Sequence, residues 1–163
     1  MRIARIAEKI IAESNGNLHD VNHLLKVYAY ARTIGALEGL SPDAQQTLEA
    51  AALIHDIACP LCREKYGNTN GKLQEKEGGA LAEAFLRDSG LTEAQIARAV
   101  ELVAHHHSPQ ALDGADFQIL IEADYLVNAD EGGCSVENIR STREKIFRTG
   151  SGKRLLDAIY LNH

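Results

Sequence analysis

Two histidines and two aspartates of this chain stand among apolar residues, where such side chains are uncommon. His23 lies in DVNHLLKVYAYA, and His55 and Asp56 are adjacent in AALIHDIA. Asp124 lies in ILIEADYLVNAD. An aspartate carried into a protein interior costs free energy unless a hydrogen bond or a positive charge such as a metal ion compensates it. Imidazole nitrogens and carboxylate oxygens are ligands for zinc, iron and manganese, so the four residues together indicate a metal site. Taken singly, each residue would be explained by a hydrogen bond or an ion pair.

A run of three histidines, His105, His106 and His107, ends the apolar segment ELVAHHHSP. Successive residues of a helix are rotated by about 100°, so at most two of these side chains can reach one site. We expect His105 and His106 to be those two, and His107 to point elsewhere. The simpler explanation of the run is a polar helix end, since histidines at that end also complement the helix dipole.

The segment from 58 to 73 is rich in Gly, Asn, Cys and Lys, and this composition predicts one long loop. The segment carries Arg63, Lys65 and Lys72, which are candidates to bind a phosphate group in an otherwise acidic protein. Its glycines would let the backbone approach such a group closely. For any one of these cations taken singly, a solvated position on the surface is the alternative.

The elements that must position these residues are helices. Apolar residues recur at three- and four-residue spacing between only three prolines, and no alternating pattern typical of a strand interrupts them. Ser41 and Pro42 start one helix, as a capping serine followed by a proline in the first turn. The sequence therefore predicts one all-α domain over residues 1–163. Its predicted helices cover residues 2–13, 20–38, 41–57, 75–88, 92–106, 115–130, 135–147 and 151–161.

The composition disfavours several classes of protein. A chain of 163 residues with 45% hydrophobic content can bury the core of one domain. The net charge of −6 disfavours binding to a nucleic-acid polymer. Apolar stretches are short, so we predict neither a signal peptide nor a membrane-spanning helix. Cys59 and Cys62 form a CxxC pair, but the chain lacks the further cysteines of a zinc site and the βαβ pattern of a redox motif. Three cysteines make no disulfide framework, so we expect a protein of a reducing compartment, the cytoplasm.

The order His, His-Asp, Asp on successive predicted helices resembles the HD-domain superfamily of metal-dependent phosphohydrolases. The residues that carry the resemblance are His23, the pair His55 and Asp56 after AALI, and Asp124 in EADYLVNAD. The resemblance implies a helical bundle in which these four residues bind a divalent ion (Fe, Mn, Zn, Ni, Co or Mg) between helices. It also implies that a metal-activated water hydrolyses a small phosphate ester such as a nucleotide. Asp56 would orient that water, while His105 or His106 would bind phosphate or protonate the leaving oxygen.

Binuclear branches of that superfamily carry two further histidines before the final aspartate. His105, with His106 next to it, stands where the second of these is expected, whereas Gln74 stands in place of the first. Glu75 or Glu77 could replace that histidine as a carboxylate ligand, so the resemblance leaves open whether one or two ions bind per chain. Two alternatives to a phosphohydrolase stay open: a di-iron oxygenase of the same fold, and a regulatory domain that binds a metal or ligand without turnover.

Overall fold

The computed structural model describes residues 2–162, and within them it contains helices and turns but no strand. The prediction of an all-α fold is confirmed. None of the helices in this part of the chain is both long enough and apolar enough to cross a membrane. In chain order they are α1 (Arg2–Glu13), α2 (Leu18–Leu37), α3 (Pro42–Ile54), α4 (Cys59–Tyr66), α5 (Gly71–Leu86), α6 (Glu93–His105), α7 (Ala115–Glu131), α8 (Val136–Lys145) and α9 (Gly150–Leu156), followed by a π-helical turn, Asp157–Leu161.

Polar residues at the first turns determine where two of these helices begin. The Ser41 hydroxyl accepts a hydrogen bond from the backbone N–H of Ala44, and Pro42 occupies the first turn of α3, as predicted. Thr92 and Gln95 bond to each other's backbone N–H at the start of α6. These caps satisfy N–H groups that the first turn of a helix leaves without partners. The starts of α3 and α6 are therefore encoded locally.

Helix α3 lies inside the core. Every residue from Thr47 to Ile54 is buried, and the helix contacts α1, α2, α6 and α7. Ala50, Ala51 and Ala52 are fully buried, and their small side chains let neighbouring helices approach closely. A helix that is buried on all sides has little freedom to move. Because α3 ends at Ile54, the pair that follows it, His55 and Asp56, is held by the interior of the protein.

The segment predicted as one long loop contains a helix of eight residues, α4. Pro60 lies in its first turn, and Gly67 ends it with a φ of 72°. Glycine adopts this left-handed conformation without strain. The loop prediction is wrong because the polar composition was given more weight than these two boundary signals, a proline at the start and a glycine at the end. Helix α5 likewise begins at Gly71 and not at residue 75.

A buried carboxylate, Glu122, ties the C-terminal helices to α7. It accepts hydrogen bonds from the backbone N–H groups of Arg148 and Thr149, from the Thr149 hydroxyl and from the Gln118 side chain. Thr149 also caps α9. A carboxylate is tolerated in the interior only with such partners. A side chain at Gly152 would collide with the Glu122 carboxylate, so the close approach of α9 requires glycine there.

Candidate metal centre

His23, His55, Asp56 and Asp124 meet at one point between α2, the end of α3 and α7. His23 Nε2 lies 3.1 Å from His55 Nε2 and 3.2 Å from Asp124 Oδ1. His55 Nε2 lies 3.4 Å from the same oxygen and 3.6 Å from Asp56 Oδ1. The His23 side chain is 6% exposed and the His55 side chain 0%. The fold thus brings together the four residues that the sequence singled out from three separate segments.

The second ring nitrogen of each of these histidines is held by an acceptor. His55 Nδ1 lies 2.9 Å from the carbonyl oxygen of Ala52, and His23 Nδ1 lies 2.8 Å from Glu131 Oε2. Because a carbonyl and a carboxylate only accept, Nδ1 donates in each ring, and a neutral ring then presents an Nε2 lone pair to the centre. Lone pairs and carboxylates that face one another repel, and a proton or a metal ion between them removes this repulsion. Histidines that bind metals are oriented by this kind of Nδ1 hydrogen bond.

His106, just after the end of α6, presents a third ring nitrogen to this centre. Its Nδ1 donates to the carbonyl oxygen of Val103 at 2.8 Å, and its side chain is 1% exposed. Its Nε2 lies 3.3 Å from Asp56 Oδ1, and within residues 2–162 it has no hydrogen-bond partner. A buried polar atom without a partner is rare in a folded protein. A cation beside Asp56 would satisfy it, so these residues fit a metal ion.

The charges of the cluster show the same need for a cation. Burial alone lowers the pKa of His55, but the Asp56 and Asp124 carboxylates outweigh it and raise this pKa to about 9. Burial raises the pKa of both aspartates, yet the histidines around them hold both pKa values well below the usual range. In the metal-free protein, protons supply the positive charge that the carboxylates attract. A divalent ion can supply that charge in their place.

The histidine run is placed differently from the prediction. Helix α6 ends at His105, so the rotation of about 100° per residue does not apply beyond it. His105 Nδ1 faces the carbonyl oxygen of Glu101 at 2.9 Å. In contrast, the His106 and His107 rings lie 3.9 Å apart between centroids. In the described part of the chain, the groups able to hold a metal include His106 and His107 but not His105. The structure therefore brings His106 and His107 close to Asp56, whereas the prediction named His105 and His106, and the part that these histidines take in a site stays a prediction.

A cavity of about 650 Å³ opens beside the cluster, and His23, Asp56 and Asp124 form part of its wall. This volume is typical of sites for small molecules. Much of the remaining wall is apolar. The apolar residues include Ile10, Leu24, Ile57, Leu61, Leu81 and Phe85. The cluster is thus reachable by a ligand that combines charged and apolar parts.

Among the described residues, Arg63 is the one predicted phosphate-binding cation that lines this cavity. Its guanidinium forms an ion pair with Asp20, which also lines the cavity. Lys65 Nζ instead bonds to Glu77 Oε1 at 2.8 Å, and Lys72 is exposed away from the cavity wall. The segment is helical here, so residues 63 and 65 point in different directions. The structure therefore separates Lys65 and Lys72 from Arg63.

The position of the missing histidine is occupied by a residue that faces the cavity. Gln74 is buried and lines the cavity, and its Nε2 donates to the carbonyl oxygen of Thr69 at 2.9 Å. Glu77 is held by its ion pair with a lysine, and Glu75 Oε2 accepts a hydrogen bond from the Ser108 hydroxyl at 3.1 Å. Neither glutamate belongs to the described cavity wall. Glu75 Oε1 is buried and has no hydrogen-bond partner within residues 2–162, so the carboxylate replacement stays a prediction.

The two cysteines of the CxxC pair are buried free thiols, and Cys59 lines the cavity. Burial and the nearby Asp56 carboxylate raise the pKa of Cys59 well above its usual value. The thiolate is the reactive form of cysteine, so a thiol in this setting is unreactive. This finding disfavours thiol chemistry at Cys59.

Glu131 is a residue of the site that the sequence analysis missed. It is the last residue of α7, and its two carboxylate oxygens bond to His23 Nδ1 at 2.8 Å and to Lys26 Nζ at 3.1 Å. A signal was available, because Glu131 stands about two helical turns beyond Asp124 and thus on the same face of α7. Glu131 fixes which nitrogen of His23 carries the proton.

Replacement of Glu131 by glutamine is expected to weaken metal binding by about 10- to 100-fold, because His23 loses the charged acceptor that orients its ring. Competition with a chromophoric chelator would measure this affinity. Lys26→Met is the matched control, since it removes a different partner of Glu131 in an exposed ion pair that contributes little. An unchanged affinity in Glu131→Gln would contradict the role of this carboxylate.

Comparison with known proteins gives one match. A family model described as HD domain matches residues 20–131, which is more than half of the chain. The matched segment runs from α2 to the end of α7 and contains His23, His55, Asp56 and Asp124. No curated protein and no solved structure matches the chain significantly.

Proposed function

Because the chain belongs to the HD-domain family, we propose that it is a metal-dependent phosphohydrolase that acts on a small phosphate ester such as a nucleotide. The observation that carries this proposal is the convergence of buried Nε2 lone pairs on two carboxylates at the wall of a cavity. A donor set of imidazoles and carboxylates suits a divalent ion. Its position at the cavity leaves the ion accessible to water and to a substrate.

In this proposal, His23, His55, Asp56 and Asp124 hold the ion, which is Fe, Mn, Zn, Ni, Co or Mg. When bound, such an ion lowers the pKa of a water molecule and polarises a phosphoryl oxygen. Asp56 lines the cavity and stays ionised because the neighbouring histidines hold its pKa low. Its carboxylate can therefore accept a hydrogen bond from the attacking water and orient it. No step is assigned to His105, since within residues 2–162 it belongs neither to a group able to hold a metal nor to the cavity wall.

The cavity supports a small phosphorylated substrate. Arg63 is the cation on its wall that was predicted to bind phosphate, and it is paired with Asp20 in the structure, whereas Lys9, which also lines the cavity, donates to the Phe85 carbonyl oxygen. A phosphate group carries more charge than a carboxylate and accepts two parallel hydrogen bonds from a guanidinium, so it can compete with Asp20 for Arg63. The apolar wall would contact the rest of the ester. The acidic chain, with a net charge of −6, disfavours a nucleic-acid polymer as the substrate.

Metal analysis of the purified protein, joined to a phosphate-release screen across nucleotides and sugar phosphates, tests the proposal. We expect release of inorganic phosphate from at least one ester, abolished by a chelator and restored by a divalent ion. Bound metal without phosphate release from any ester would favour a regulatory domain, and two irons with oxygen consumption would favour an oxygenase.

Arg63→Gln should raise KM for that ester more than it lowers kcat, because the guanidinium binds phosphate in the ground state as well as in the transition state.

A further inference from the structure

A second concave region, of about 620 Å³, opens between the first turns of α1 and the turn that follows α5. We call it the basic groove, and its wall consists of Arg2, Arg5, Ile6, Lys9, Phe85, Asp88, Ser89 and Gly90. Three of these residues are cations, and within residues 2–162 Asp88 is the one carboxylate among them. The cavity at the metal centre has the opposite balance, since carboxylates outnumber lysines and arginines on its wall. In a chain with a net charge of −6, the local charge thus favours an anion at the basic groove.

The two arginines of the groove have unused hydrogen-bond donors. Arg2 and Arg5 stand about one turn apart on the same face of α1, and both are exposed. Neither forms a hydrogen bond or an ion pair with another residue in the described part of the chain, whereas Arg98 and Arg143 are each paired with an aspartate. The Arg2 side chain lies over the turn after α5, because a Cβ at Gly90 would be 3.6 Å from Arg2 Nε. A guanidinium has five N–H donors, so this pair offers many donors at the groove.

The third cation, Lys9, is held where the basic groove meets the cavity. Its Nζ donates to the Phe85 carbonyl oxygen at 2.8 Å and lies 4.1 Å from the centroid of the Phe85 ring. An ammonium group has three donors, so two remain for a ligand. Lys9 and Phe85 line both concave regions. Helix α1, about 18 Å long for its 12 residues, lines the groove with its first turns and the cavity with Ile10 and Glu13.

We propose that Arg2, Arg5 and Lys9 bind a phosphate group in the basic groove. Guanidinium groups form paired, charge-assisted hydrogen bonds with phosphate oxygens, which a spherical anion such as chloride cannot accept in the same geometry. The phosphate has two possible sources. It is either the far phosphate of a substrate whose ester bond reaches the metal centre, or part of a separate phosphate compound. The first source rests on the proposed function, and the second does not.

Titration of the purified protein with inorganic phosphate tests the proposal. The arginine Nε–H groups give their own signals in ¹H–¹⁵N nuclear magnetic resonance spectra, and each signal is assigned by its loss in the corresponding variant. We expect saturable shifts of the Arg2 and Arg5 signals with phosphate, and none with sodium chloride at the same ionic strength. Arg5→Gln should weaken the phosphate affinity reported by the Arg2 signal by about 10-fold, as loss of a hydrogen bond to a charged group does.

Arg87→Gln is the matched control for this titration, since it removes the same charge from an exposed arginine that does not line the basic groove. It should keep the wild-type affinity. Arg2 and Arg5 signals that do not respond to phosphate, or an unchanged affinity in Arg5→Gln, would overturn the proposal. Both outcomes leave the metal centre untouched, because none of the three cations belongs to a group able to hold a metal.

Kinetics distinguish the two sources of the phosphate. A nucleoside monophosphate and the corresponding bisphosphate differ only in a second phosphate group. If the groove binds the far phosphate of the substrate, Arg5→Gln should raise KM for the bisphosphate about 10-fold more than KM for the monophosphate. Equal changes of KM, together with phosphate binding in the titration, would assign the groove to a separate phosphate compound. Phosphate release from no ester would overturn the proposed function, whereas the titration would still decide on the groove.

Discussion

Replacement of Asp56 by asparagine is expected to abolish bound metal and to lower kcat/KM for phosphate release by at least about 1,000-fold, which is about 4 kcal/mol. The carboxylate oxygens of Asp56 face His23 Nε2 on one side and His106 Nε2 on the other. Asparagine keeps the shape of the side chain, but a neutral amide binds a divalent ion more weakly than a carboxylate does. Loss of this single charge therefore removes one of the four ligands proposed for the ion.

Elemental analysis would measure the metal content of Asp56→Asn, and circular dichroism would show that its helices persist. Asp88→Asn serves as the control, since Asp88 is exposed and belongs to neither ligand group in the described chain. Near-stoichiometric metal in Asp56→Asn, with turnover close to the wild type, would rule out the role assigned to this carboxylate.

Removal of the metal is expected to lower the melting temperature by about 5 to 10 °C. An ion present at about 100 times its Kd stabilises the folded state by about 2.7 kcal/mol, and each kcal/mol corresponds to about 2 to 4 °C in a domain of this size. The physical reason is the cluster itself, in which lone pairs and carboxylates face one another inside the protein. Thermal unfolding followed by circular dichroism, with and without a chelator, would measure the shift.

The control for this experiment is the Asp56→Asn variant, whose melting temperature should not respond to the chelator. Restoration of the wild-type value by added Mn²⁺ would show that the effect comes from the metal and not from the chelator. Equal melting temperatures of the wild type with and without chelator would contradict a metal bound at this cluster.

The parts of the structure that could be anticipated from sequence depend on local patterns. Apolar residues at helical spacing predicted the all-α fold, and Ser41 with Pro42 predicted the start of α3. The four residues His23, His55, Asp56 and Asp124 could be singled out because polar side chains stood within apolar segments. Their convergence then followed from the packing of α2, α3 and α7 against one another.

The position of His107 could not be anticipated by assuming a continuous helix. The rotation of about 100° per residue holds only as far as His105, where α6 ends. The predicted helix ends at residue 106, but the expectation for His107 applied this rotation to a residue that lies beyond that end.

Contacts between distant segments explain what else was missed. Glu131 bonds to a histidine 108 positions away, and Glu122 bonds to backbone groups 26 and 27 positions away. No short motif encodes such pairs, because they depend on how the finished helices pack.

The hydrogen bonds of Glu122 bear on how much of the chain folds by itself. The family match ends at residue 131, but three of the four donors to this carboxylate lie at Arg148 and Thr149. A fragment that stopped at residue 131 would leave the buried charge with Gln118 alone, and removal of the partners of a buried charge costs about 3 to 5 kcal/mol. That is a large part of the stability of an ordinary domain. Asp124 lies on the same helix as Glu122, so we expect residues beyond the family match to stabilise the helix that carries this candidate metal ligand.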